Sequence, residues 1–285
     1  MQQENKKHYA WKIMLACIFM KMGTGGASMA MMNNFVNPIV TELGCQVSQL
    51  TMTISINAIS MALLYTTASR ILTTKKIGLV MGFASLAEVV GIALMSTYRS
   101  VEMFYLSGFI TGAAQSFTGL VAIPLVINMW FRKKTGTVLG IVIAIGNAAG
   151  VLYGLLSAQL ITSLGWRTSY LILAAMGLVI TVPMVFLVIK SPAEAGCEPY
   201  GAEDGDAPAA ALPGNAGGDW GLTRGEAFRF PFLYIAWAAC IFYSYGSGVA
   251  GYIVPFSTME LGQTINFGAR VGMFASFGAI LCSLI

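Results

Sequence analysis

Charge is scarce in this sequence. Only 10% of its 285 residues are Asp, Glu, Lys or Arg, against roughly a quarter in an ordinary soluble domain. That deficit excludes a water-soluble globule. Histidine is reduced to His8, so no His-rich metal or catalytic cluster can form. The five cysteines (Cys17, Cys45, Cys197, Cys240 and Cys282) contain no CxxC pair, and three lie in apolar runs. This argues against both a disulfide framework and a zinc site, and no metal or cofactor is expected. A dinucleotide glycine fingerprint, a P-loop, HExxH and GxSxG are all missing, which removes the common enzyme signatures. No nucleic-acid partner is expected either.

What fills the chain is apolar. Hydrophobic residues make up 56%, with 32 Gly and 17 Met, a composition suited to membrane helices that approach closely and fill irregular gaps. A spanning helix needs about 20 mostly apolar residues. Such runs occur near 12–33, 50–69, 78–97, 104–128, 137–162, 168–189, 231–256 and 268–285. The chain is therefore expected to be an all-α, multi-pass membrane protein with the lipid bilayer as its solvent.

The basic residues set an orientation. Lys6, Lys7, Lys12, Arg70, Lys75, Lys76, Arg132, Lys133, Lys134, Lys190, Arg224 and Arg229 all fall on one side of this topology, with Arg99 and Arg167 on the other. By the positive-inside rule the N-terminus is cytoplasmic; the plasma membrane is the expected location. Residues 191–229, rich in Ala, Pro, Gly and acid, have too little apolar surface to fold and read as a flexible cytoplasmic linker. The expected organisation is a six-helix unit over 1–190, this linker, and the start of a second unit over 230–285.

A repeat supports that division. ACIFMKMGTGGA (16–27) and ACIFYSYGSGVA (239–250) agree at seven of twelve positions, and Glu42-Leu43-Gly44 is echoed by Glu260-Leu261-Gly262. The seventh span looks like a copy of the first, as a parallel duplication of six-helix halves would give.

Several stretches carry a family likeness. NMWFRKKTGTVLG (128–140), GIVIAIGNAAG (140–150) and GWRTSYLILAAMG (165–177) resemble the link between helices four and five, the helix-five glycine motif and the start of helix six in the major facilitator superfamily. GLTRGEAFRFPFLYIAWA resembles the branch that holds oxalate/formate antiporters and monocarboxylate transporters. The resemblance implies a secondary transporter acting as a monomer, with a complete N-terminal six-helix half and the first two helices of a truncated C-terminal half. Two departures stand out: SRILTTKKIG has threonine where the family usually has a gate aspartate, and Asn147 takes the place of a common proline, which implies a straighter helix five.

Lys21 is the residue most in need of a reason. It follows Trp11 by ten residues, about 15 Å along a helix and so near the middle of a core of about 30 Å. A lysine there costs roughly 2.5–3.5 kcal/mol on insertion scales and is tolerated only beside a polar cavity or a partner. Thr24 and Ser28 extend a polar stripe from it. The resemblance puts helix one on the central path, where the ammonium would pair with a substrate anion; the other reading is a lysine neutralised by a buried acid or deprotonated in place.

Glu88 is the only acid inside a span. It is a proton-coupling candidate or a protonated, hydrogen-bonded packing residue. Arg270 could bind carboxylate through its planar fork or snorkel to the interface. Thr53, Asn57 and Ser60 form one polar face, as do Thr111, Gln115 and Thr118, serving a cavity or interhelical contacts. Tyr243 and Tyr245 flank Ser244, the counterpart of Lys21. Asn57, Gln115, Tyr243 and Arg270 join Lys21 as candidate substrate ligands.

Gly136, Gly140, Gly146, Gly150 and Gly154 offer a smooth helix surface, either for the other half or for packing within the first. Arg132, Lys133 and Lys134 serve a cytoplasmic gate or simply set topology. Together these readings describe a carrier, not an enzyme, of a small organic anion, coupled to protons or to a counter-transported anion. A carrier of a neutral or other small solute is the alternative.

Overall fold

The structure, a computed structural model, describes residues 2–25, 28, 34–74, 76–201, 228–253, 256–257, 260–264, 266–268 and 270–274. Helices dominate: α1 (Gln2–Met20), α2 (Val36–Leu43), α3 (Val47–Thr74), α4 (Ile77–Met95), α5 (Val101–Thr118), α6 (Ala122–Trp130), α7 (Thr135–Val188), α8 (Pro192–Ala195) and α9 (Pro231–Gly251). Four stretches among the described residues are long and apolar enough to cross a membrane: Val47–Thr73, Ile77–Met95, Val101–Trp130 and Thr135–Val188. Helix is the expected solution, since a lipid-exposed backbone must satisfy its own hydrogen bonds.

Among the described residues the expected spans are helical, with three interruptions. Directly after α1, residues Lys21–Gly25 form one π-helical turn. The fourth span is divided between α5 and α6, with Gly119 in irregular backbone at the break; Pro124 sits in the first turn of α6, where its missing N–H has no partner to lose. Spans five and six meet at Gly165, whose φ of 78° and ψ of 163° lie inside α7. A glycine accepts that left-handed φ without steric strain. Asn147 is helical within the first limb of α7. Of the expected eighth span, residues 275–285 lie outside the described residues.

Apolar side chains cover the outside. Leu63, Phe83, Val179, Leu187, Phe232 and Phe242 are all exposed, whereas Ser60, Ser85, Glu88, Ser107, Thr111, Ser157 and Thr181 are buried. This inversion suits a chain whose surroundings are lipid, because only the interior offers polar partners. α3 crosses α5 where Gly108 and Gly112 present bare backbone: a Cβ on Gly112 would fall on the Asn57 carbonyl, and one on Gly108 would lie 2.8 Å from the Thr53 carbonyl oxygen. The four-residue spacing is a small-residue contact that lets two backbones touch.

Both ends of the bundle are tied. At the end bearing the basic loops, Tyr9 donates to the Val188 carbonyl (3.0 Å) and Trp130 Nε1 to the Lys190 carbonyl (2.8 Å). The segment expected as a linker begins docked here. Ser191 caps α8, the Tyr200 amide donates to Trp130 O (2.8 Å), and the Arg132 amide donates to Tyr200 O (3.0 Å). Residues 202–227 lie outside the described residues.

At the far end, Glu42 accepts from the Trp166 indole and from Arg167 Nε (3.1 Å) and Nη2 (3.0 Å), while Arg167 Nη1 reaches the Ser96 carbonyl at 2.9 Å. The Trp166 bond, aided by the guanidinium and opposed by slight desolvation, holds the Glu42 carboxyl below its ordinary value.

Two outcomes follow from these contacts. Gly112→Ala forces α5 off α3 and lowers the melting temperature in detergent, at about 1–3 kcal/mol for overpacking; Gly136→Ala, with open space around it, leaves it unchanged or higher. For Glu42, a depressed folded-state pKa adds stability above the unfolded value near 4.3 and loses it as pH falls through the folded value. Wild type should therefore melt above Glu42→Gln at neutral pH, by no more than about 1 kcal/mol for so exposed a pair, and the gap should close as pH drops below the ordinary carboxylate range. A gap independent of pH would count against the clamp.

Candidate functional site

The interrupted backbone and the buried polar residues meet in one place. A cavity of about 300 Å³ opens between the first span, α3, α4, α5 and both limbs of α7, and it is reached by Lys21, Thr24, Ser28, Asn57, Glu88, Gln115 and Thr118. Most of its remaining wall is apolar, from Phe35, Ile39, Ile54, Ile92, Met95 and Phe104, with Thr51, Thr53, Thr111 and Asn147 among them. The site thus has a polar corner and a greasy body, the usual composition of a small-molecule pocket.

Lys21 opens the π turn, a feature that often accompanies function because it breaks the helical register. Its stem lies along Gly146: a Cβ there would sit 3.2–3.3 Å from Lys21 Cβ, Cγ and Cδ. Gly146 therefore accommodates the lysine within the same half. Gly136 and Gly154 have open space at their Cβ positions.

Glu88 is 1% exposed and is reached from three directions. Ser28 Oγ donates to its Oε1 at 2.9 Å, Gln115 Nε2 to the same oxygen at 3.2 Å, and Thr118 Oγ1 to Oε2 at 3.2 Å. Gln115 also donates to Ser28 Oγ at 3.1 Å. Both oxygens are therefore bonded, and since Ser28 and Thr118 are hydroxyls that can donate or accept, the cluster can serve either the ionised or the protonated acid. Lys21 and Glu88 attract one another electrostatically, yet among the described residues no hydrogen bond or direct ion pair joins them. Cation and carboxylate border the same open space.

The remaining sequence candidates separate. Asn57 donates to Thr111 Oγ1 at 3.1 Å and borders the cavity, as does Thr53, whose buried hydroxyl has no partner among the described residues. Arg270 is exposed and is not among the residues around this cavity. The side chain of Tyr243 lies outside the described residues; Tyr245 is exposed. Arg132, Lys133 and Lys134 are exposed at the basic end, where Lys134 takes a left-handed φ of 63° at the start of α7. Among the described residues no group of His, Cys, Asp and Glu is arranged to hold a metal.

Sequence reasoning missed two contributors. The break at Gly119–Leu120, which borders the cavity, was signalled by Gly119 and Pro124 inside one apolar run. Thr181 is the other: fully buried in the second limb of α7, it contacts the π turn through its hydroxyl. A lone threonine in an apolar run carries no signal of its partner.

The sequence model of the Major Facilitator Superfamily matches residues 13–285. A curated relative, described as an MFS-type efflux pump of Mycolicibacterium smegmatis (strain ATCC 700084 / mc(2)155), is 28% identical over 151 residues, covering 53% of this chain and 32% of the relative. The matched region spans about a third of that protein's length.

The donors around Glu88 make its loss costly. Glu88→Leu leaves the Ser28 hydroxyl without its acceptor, while Gln115 keeps Ser28 Oγ and Thr118 keeps the Ala114 carbonyl, and should lower stability in detergent by about 1–3 kcal/mol, the cost of one unsatisfied group. Glu88→Gln, which keeps one acceptor oxygen, should lose less. Equal melting of both variants and wild type would show the network to be energetically idle.

Proposed function

The chain belongs to the major facilitator superfamily, and on that premise we propose that it acts as a secondary transporter, moving a small organic anion across the membrane by alternating access. The observation carrying the reading is Lys21, an ammonium at mid-span whose neighbour is open space instead of a locked carboxylate. A carboxylate solute would pair with Lys21 while Gln115 and Asn57 hydrogen-bond it and the walls at Phe35, Ile92 and Phe104 take its apolar part. The volume of about 300 Å³ sits at the small end of ligand pockets.

Glu88 refines the substrate. A second carboxylate on the solute would meet a like charge across a small, poorly screened space, which favours monocarboxylates such as formate or lactate over oxalate. Glu88 is also the coupling candidate: taking up a proton would remove the competitor for Lys21, so that anion and proton enter together. In this reading the protein works as a monomer in the plasma membrane with its N-terminus in the cytoplasm. Arg132, Lys133 and Lys134 then face the cytoplasmic gate or the lipid headgroups, and residues 230–285, with Tyr243 and Arg270, begin the second half.

A second reading is outward transport of an amphipathic neutral solute. The apolar lining favours it, and the mycobacterial relative is described as an efflux pump.

The test is uptake of labelled formate, lactate and oxalate into liposomes. Wild type should take up formate and lactate faster than oxalate, Lys21→Ala should lose at least about tenfold, the worth of 1.4 kcal/mol, and Glu88→Gln should lose the acceleration that an inward proton gradient gives wild type. Uptake unaffected by Lys21→Ala would sink the anion reading and leave the amphipathic solute in its place.

A further inference from the structure

Within an apolar span a threonine hydroxyl ordinarily bonds back to a carbonyl of its own helix. Thr181 does otherwise. Its side chain, fully buried on the second limb of α7, receives a hydrogen bond from the Thr24 amide at 3.2 Å and donates to the Phe19 carbonyl at 3.5 Å. The two backbone groups it bridges are five residues apart, the spacing of a π rung, and they straddle Lys21. A foreign hydroxyl is thus inserted into the ladder of the first helix at the turn that departs from α geometry, one of the few causes of a sharp helical irregularity.

Gly23 makes the insertion possible. A Cβ there would fall on the Thr181 hydroxyl and lie 3.2 Å from Thr181 Cβ, so any larger residue would expel the wedge. On the other limb of α7, Gly146 holds the lysine stem. The hairpin of α7 therefore grips Lys21 twice, through the backbone on one limb and the stem on the other.

We propose that Thr181, seated against Gly23, is a positioning residue that holds the first helix open so that the Lys21 ammonium is aimed into the cavity. The assignment rests on Lys21 being the anion-binding cation. Without the hydroxyl, the Thr24 amide would return to a carbonyl of its own helix, the turn would rewind, and the side chain at 21 would rotate off the cavity. Thr181 touches no solute; it acts through the backbone.

The experiment uses the full chain in liposomes with three backgrounds, wild type, Thr181→Val and Thr181→Ser. Valine keeps the shape and loses the hydroxyl, whereas serine keeps the hydroxyl. For formate uptake, Thr181→Val should raise KM about tenfold, the scale of one lost buried hydrogen bond, with kcat changed far less, and Thr181→Ser should restore KM.

A readout independent of transport places Lys21→Cys in each of these backgrounds and in Gly23→Ala, and follows modification of the introduced thiol by a water-soluble reagent at the peptide level. The rate should fall about tenfold with Thr181→Val and Gly23→Ala and remain near wild type with Thr181→Ser. Equal labelling in all backgrounds overturns the wedge whatever uptake does. If Lys21→Ala leaves uptake unchanged while labelling still follows the hydroxyl, the anion reading fails and the wedge stands as a purely conformational device.

Discussion

A charged side chain held at mid-depth in an apolar span must be supplied with polar surroundings, and much of this bundle's interior is organised by that requirement. Lys21 and Glu88 would each be expensive alone in hydrocarbon. They border the same cavity, and Ser28, Gln115 and Thr118 turn their donors to the carboxylate. The charges remain unlocked, which separates a site from a structural ion pair: a buried pair at contact distance resists any third charge, whereas separated charges across open space leave room for a solute to compete.

The same requirement accounts for where the helices fail. Irregular backbone at membrane depth survives only where protein or a water-filled cavity satisfies it. The π turn at Lys21–Gly25 and the break at Gly119–Leu120 both border the cavity, and a side-chain hydroxyl from α7 completes the first of them. Away from these breaks, side-chain contacts tie both ends of the bundle. The aromatic residues Tyr9, Trp11, Trp130, Phe131 and Tyr200 pack with ring centroids 5.0–6.2 Å apart at the basic end, and the Glu42, Trp166 and Arg167 clamp closes the other. In the proposed carrier, this bundle would move as one body while a site at its centre reorganises, as alternating access between two halves requires.

Much of the architecture was legible in the chain itself. The apolar runs marked the helices because a helix needs about 20 such residues to cross lipid. Lys21 and Glu88 stood out because charges are rare at such positions. The polar stripes on the second and fourth spans were visible at helical spacing, and Asn57 and Gln115 do reach the cavity. Family membership followed from local motifs such as GIVIAIGNAAG, and the superfamily match covers residues 13–285.

What periodicity cannot encode is which helices meet and at what height. That Gly146 lies under the stem of Lys21, that Glu88 from α4 collects donors from the first span and from α5, and that Thr181 reaches the Phe19 carbonyl 162 residues away are consequences of packing alone. Within one helix a residue's neighbours are set by the rise and the turn, so amphipathic faces and rare charges can be read from a single strand of letters. Between helices the contacts depend on crossing positions that small residues permit and that no local spacing records. The sequence by itself therefore determined the class, the spans and the two charges; only the tertiary structure decided that they share one cavity and what holds the lysine there.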